Sequence, residues 1–220
     1  TALFDGGAIL IAPTQFSATA PLKLAARRHP FRAATMPGFS EAMIPALRLD
    51  YMEINKRCQH MKRLLDAASA ADLELLLDGE DGHFLHLDLR HRTATASGGS
   101  FPDTGVAGNL PSGETYIVPY EGEVAGVPTE SRGTLPVQFG EEVVIYTVED
   151  NVTVSVAGEG AAAVEEIRKL AQEPAYGNMA ELGLGVLSDF GLAPTGEILL
   201  DEKLGLHIAF GRSDHFGGQV

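Results

Sequence analysis

Only two stretches of this 220-residue chain hold helical spacing for long, residues 50–68 and 161–172. Elsewhere, 25 glycines and 12 prolines cut the sequence into short apolar runs. A chain punctuated this way cannot become a helix bundle. It has to place most of its apolar residues on short strands and pack a few helices against them, which is a mixed α and β protein. In the first stretch Ile54, Cys58, Met61 and Leu65 recur on one helical face. Asp50 and Glu53 give it a D-x-x-E start that resembles a capping box. The second stretch reads AAAVEEIRKLAQ, and a brief helix fits 21–29, with Pro21 in its first turn. The run 8–12 (AILIA) predicts a buried strand ending at Pro13. Leu73–Leu77 and Phe84–Leu89 read as strands, and period-two alternation marks Thr115–Val118, Glu142–Val148 and Val152–Val156. Gly98, Gly99 and Gly108 mark loops. The order is a helix-containing first part, 1–105, followed by a strand-rich second part, 106–220.

Charge narrows the partners. The formal net charge of −14 repels phosphate backbones and anionic membrane surfaces. It attracts cations, including metal ions and the free amino terminus of a peptide. No apolar run approaches the ~18 residues of a membrane span. The lone cysteine, Cys58, cannot form an internal disulfide and suits a reducing cytoplasm. Its place on the apolar helix face makes it a small core residue. The sequence opens at Thr1 and not at Met, so an N-terminal piece is expected to precede it.

Three residues carry the chemistry that the pattern suggests. Glu114 follows the turn-forming Pro111-Ser112-Gly113 and opens a strand. Glu181 sits in the glycine-flanked AELGLG, where a carboxylate needs a cation or strong hydrogen bonds. His207 lies in the strand-like Leu206–Phe210. Two carboxylates and an imidazole suit Zn²⁺, Mn²⁺ or Co²⁺. Each also has an ordinary structural reading: a solvated turn glutamate, a helix-starting glutamate, a satisfied core histidine. Spacing alone does not choose. The cluster His83, His86, Asp88 and His91 splits by strand parity, with His86 and Asp88 on one face and His83 on the other, which argues against a second site. Asp214 and His215 precede Phe216-Gly217-Gly218, and His215 is a weak candidate for a ligand or substrate contact.

Four segments, NLPSGE (109–114), YGNMAELGLG (176–185), DEKLGLHIAFG (201–211) and FGG (216–218), resemble in order the catalytic domain of the M29 metallo-aminopeptidases, also called aminopeptidase T or thermophilic metalloproteases. The segment PGFSEAMIPALRLDYMEINKR resembles the region upstream of those motifs. The resemblance covers 31–220. It implies a homodimeric hydrolase with two divalent ions, in which Glu114, Glu181 and His207 match ligand positions and Glu181 is the catalytic carboxylate that bridges or contacts the pair. Such a centre activates water against the N-terminal peptide bond. The family completes its site with a His-x-Asp pair and a tyrosine. No His-x-Asp occurs downstream in this sequence, so those residues are expected beyond Val220. The alternative within the same superfamily is an Fe(II)-dependent dihydroxypyridine dioxygenase, which would use two histidines and one carboxylate. A non-catalytic relative that keeps the fold is the third reading.

Overall fold

The computed structural model describes residues 7–77, 82–214 and 217–220. The fold is mixed α and β, as the sequence predicts. Strands are β1 (Ile9–Ala12), β2 (Arg32–Thr35), β3 (Ala70–Leu75), β4 (His83–Asp88), β5 (Thr95–Ser97), β6 (Val106–Asn109), β7 (Glu114–Ile117), β8 (Arg132–Phe139), β9 (Glu142–Glu149), β10 (Val152–Ala157), β11 (Met179–Gly185) and β12 (Leu206–Phe210). Helices are α1 (Thr19–Ala26), α2 (Tyr51–Ala67), α3 (Ala161–Gln172) and α4 (Ile198–Asp201). Among the described residues no helix is long and apolar enough to cross a membrane.

The chain forms two compact units, each drawn from three stretches. The first comprises Thr1–Arg63, Thr95–Tyr116 and Gly183–His207. In it β1, β2 and β6 form a parallel sheet. Parallel strands need a crossover, and α1 supplies the one between β1 and β2. Phe31, Ala26, Ala33 and Ala107 make the buried core beside this sheet. A second core gathers Ile54 and Cys58 of α2 with Met43, Ala46, Leu187, Leu199 and Leu200. Asp50 caps α2 by accepting the Met52 and Glu53 amides at 2.9 and 3.3 Å. The reciprocal half of a capping box is replaced, because the Glu53 carboxylate turns to Lys56 and Arg57.

The second unit comprises Leu64–Ala94, Ile117–Leu182 and Ile208–Val220. Its five-stranded sheet has the order β10-β9-β8-β4-β3, antiparallel throughout. Leu85, Leu87, Leu135, Val144, Tyr146 and Val148 are its buried apolar side chains. Asp88, at the end of β4, is buried and accepts the Arg90 guanidinium at 3.0 and 2.6 Å and the Arg90 and Glu130 amides at 3.0 and 3.1 Å. Burial alone would raise its pKa, but these bonds outweigh it and hold the carboxyl below its usual range. A depressed pKa contributes stability above the unfolded value, near 3.8, and loses it as pH falls through the folded one. Asp88→Asn should therefore lower the melting temperature at pH 7 by several degrees and flatten its decline below pH 4. Thermal scans from pH 2.5 to 7 check this, and an unaltered acid limb refutes it.

Two sequence expectations are corrected, and one strand went unread. The run 8–12 does form β1, but Ile9 and Ile11 are 64% and 67% exposed, because β1 is an edge strand. Gly108 is not a loop marker. It lies inside β6, where an added Cβ would meet the Phe101 ring at 2.6 Å. The alternation in β8 is obscured by Gly133 and Pro136, yet it is one of the longest strands.

Candidate metal centre

A four-stranded sheet of order β12-β11-β7-β5 carries the three residues singled out above. Glu114 opens β7, Glu181 lies within β11 and His207 is the second residue of β12.

The NLPSGE segment is a built support for Glu114. Asn109 Oδ1 accepts the Thr19 and Thr35 hydroxyls at 2.8 and 2.7 Å. The Leu110 amide donates to the Thr35 carbonyl at 3.0 Å, and the Leu110–Pro111 peptide is cis. Buried Ser112 donates to the Ser97 carbonyl at 2.7 Å. Gly113 has φ +149°, and any side chain there would overlap Leu187. Its carbonyl accepts the Val186 amide at 2.9 Å. On the other side of Glu114, the Thr115 hydroxyl donates to the Cys58 carbonyl of α2 at 2.8 Å. Glu114 is thus clamped before and after, and its side chain is buried.

The glycines of AELGLG make space. A Cβ on Gly183 would overlap the imidazole of His207, and one on Gly185 would overlap the backbone of Lys203 and Leu204. The Gly185 amide donates to the Gly205 carbonyl and the Leu187 amide to the Lys203 carbonyl, both at 2.8 Å. His207 Nδ1 lies 3.2 Å from the same Gly205 carbonyl. A carbonyl only accepts, so Nδ1 carries the proton and Nε2 is left as the donor atom for a ligand. Nε2 is 3.5 Å from Glu114 Oε2.

Ligand atoms of Glu114, Glu181 and His207, one from each, all lie within 4.8 Å of one another. Among the described residues this is the group of three or more His, Cys, Asp or Glu side chains close enough to hold a metal ion. Its chemistry fits a divalent cation: two hard carboxylates, one borderline imidazole, and a tautomer already selected.

The sequence reading missed Lys203. It is fully buried, and its ammonium donates to Glu114 Oε1 at 2.6 Å and to Glu202 Oε1. Burial works against its charge, but the two carboxylates beside it prevail and raise its pKa above the ordinary lysine value. The signal was present: a lysine among Leu199, Leu200 and Leu204 that follows two acids is placed to be buried and paired. Cys58 is a core residue, as its helix position predicts. Burial, reinforced by the field of Glu114, pushes its thiol up to about 11, too high for a nucleophile near neutrality.

The other candidates have separate partners. His86 pairs with Asp72 at 2.7 Å, His83 with the Thr134 hydroxyl at 2.9 Å, and Asp88 with Arg90. His91 packs against Tyr120 with the rings tilted by 59° and their centroids 5.1 Å apart. Among the described residues none of them falls in the metal-binding group. Asp214 lies 3.9 Å from Arg212. His215 and Phe216 fall outside the described residues.

No family model matches the chain, and no curated protein does. Solved structures do. A 2,5-dihydroxypyridine dioxygenase from Pseudomonas putida KT2440 superposes with a TM-score of 0.68 at 15% identity, covering 96% of this chain and 62% of its own. AmpT from Thermus thermophilus superposes with a TM-score of 0.63 at 16% identity, covering 94% of this chain and 63% of its own. This chain therefore spans about three fifths of either protein's length. At such identities the likeness establishes a shared fold.

Proposed function

We propose that this chain carries the centre of a metal-dependent, aminopeptidase-like hydrolase, with Glu114, Glu181 and His207 as ligands of two divalent ions, Zn²⁺, Mn²⁺ or Co²⁺. The observation that carries the reading is the donor set: two carboxylates and one imidazole whose ligand atoms lie within 4.8 Å. A mononuclear Fe(II) oxygenase centre takes the reverse ratio, two histidines and one carboxylate. The fold is shared with AmpT and with the dioxygenase alike, so it does not choose between them, and the motif order around the three residues supports the peptidase side.

Bound ions would polarise the scissile carbonyl and lower the pKa of a coordinated water. The rest belongs to the protein. Glu114 and His207 are fixed donors, one held by Lys203 and the other by the Gly205 carbonyl. Glu181 is partly exposed where Glu114 is buried, so it is the carboxylate that can reach substrate. With the ions held by this group, Glu181 would take the proton from the attacking water. The proposed substrate is a peptide with a free amino terminus, and the proposed assembly is a cytoplasmic homodimer.

Elemental analysis of the full-length protein, coupled to release of N-terminal residues from peptides, tests the reading. Two ions are expected, with activity lost on chelation and restored by Zn²⁺, Mn²⁺ or Co²⁺. Glu181→Gln should lower kcat by at least about 100-fold with an unchanged circular dichroism spectrum. One iron with ring-cleaving activity would replace the hydrolase by the oxygenase. Full activity in Glu181→Gln would refute the assigned role.

A further inference from the structure

We propose that Lys203 is a positioning residue that divides the Glu114 carboxylate: it holds Oε1 permanently and leaves Oε2 as a single-oxygen metal ligand beside His207. The inference rests on the metal reading above and deepens it.

The two oxygens of Glu114 have different neighbours. Oε1 is 2.6 Å from the Lys203 ammonium, while Oε2 is 3.5 Å from His207 Nε2. Lys203 is not a surface lysine that happens to reach inward. Its relative exposure is 0%. Its amide donates to the Leu200 carbonyl at 2.9 Å, its carbonyl accepts the Leu187 amide, and its backbone fills the space left by the missing side chain of Gly185. Such a backbone delivers the ammonium to one place. Glu202, on the same turn, accepts a second hydrogen bond from the ammonium.

Two consequences follow from elementary coordination chemistry. An oxygen that accepts an ammonium proton keeps a second lone pair, but it is a weaker and more crowded donor, so chelation through both oxygens and bridging through one oxygen each are disfavoured. Glu114 is then presented to metal mainly through Oε2, which makes Glu181 the better placed carboxylate of the group to span two ions. The ammonium also neutralises one carboxylate before metal arrives, so Glu114 can wait in its ligand position without a buried, uncompensated charge.

Cobalt substitution reads this out without recourse to activity, because the visible absorption of bound Co²⁺ follows coordination number. Co²⁺ is titrated into wild type, Lys203→Met and Lys203→Arg, with folding checked by circular dichroism. Wild type should give the intense bands of a low-coordinate ion. Lys203→Met frees Oε1 to chelate, so its band intensity should fall by about half or more, and Lys203→Arg should restore it. A Lys203→Met spectrum identical to wild type overturns the inference while leaving the metal reading intact. Wild type that binds no Co²⁺ removes the metal reading and the inference together. Should Lys203→Met not fold, a crystal structure of the Zn²⁺-loaded wild type decides instead. Zinc on Oε2 with Lys203 still on Oε1 supports the inference, and zinc on both oxygens overturns it.

Discussion

Replacing Gly183 with alanine is expected to weaken divalent-metal binding by roughly 100-fold while leaving the protein folded. The added methyl would occupy the space of the His207 ring. The strand itself has no objection to alanine, since Gly183 lies in β11 and is not among the positive-φ glycines. The strain falls on the imidazole, whose ring must swing away from Glu114 Oε2 and the ligand group. A ligand displaced by an ångström loses most of its worth to a metal. Isothermal titration with Zn²⁺ measures the loss, and circular dichroism checks the fold. Wild-type affinity in Gly183→Ala would mean that His207 contributes little to binding.

Glu114→Gln should be costly in a different way. It removes a ligand, and it also leaves the Lys203 ammonium with Glu202 as its remaining carboxylate. Breaking a buried ion pair from one side costs about 3–5 kcal/mol when nothing replaces the partner. Glu202 moderates this, so the lower end, about 3 kcal/mol, is expected. Urea unfolding of the metal-free protein measures it. The double variant Glu114→Gln, Lys203→Met should recover a large part of that loss, because no unmatched charge remains. Additive losses in the double variant would show that the pair is not coupled.

The sequence made some of this legible and hid the rest for physical reasons. The helices α2 and α3 could be read because Ile54, Cys58 and Leu65, or the AAAVEEIRKLAQ pattern, repeat at short range. Strands β9 and β10 were legible through alternation. β8 was not, since Gly133 approaches the Phe84 carbonyl of the neighbouring strand closely and Pro136 interrupts the pattern. Of the site, Glu114, Glu181 and His207 could be named through the motifs around them. Their proximity could not be derived from composition or spacing, because 67 residues separate the first two and 26 the last two. Lys203 escaped notice because a lysine is ordinarily at the surface. Its burial follows from contacts 89 residues away in sequence, with Glu114.

The segment between β11 and β12 has its own logic. Gly183, Gly185, Lys203, Gly205 and His207 are tied together by backbone bonds and by shape, and Leu187, Leu199 and Leu200 root the intervening chain in a core. Between those roots, residues 191–197 are largely exposed and turn at Gly191 and Gly196 with φ of +80° and +83°. Leu192 packs against that core and Asp201 accepts the Thr195 and Gly196 amides, so it is at the exposed Ala193 and Pro194 that length and composition can drift without disturbing the donor group. For a protein engineer this pair is a natural insertion point, where foreign sequence could be grafted while the centre keeps its geometry.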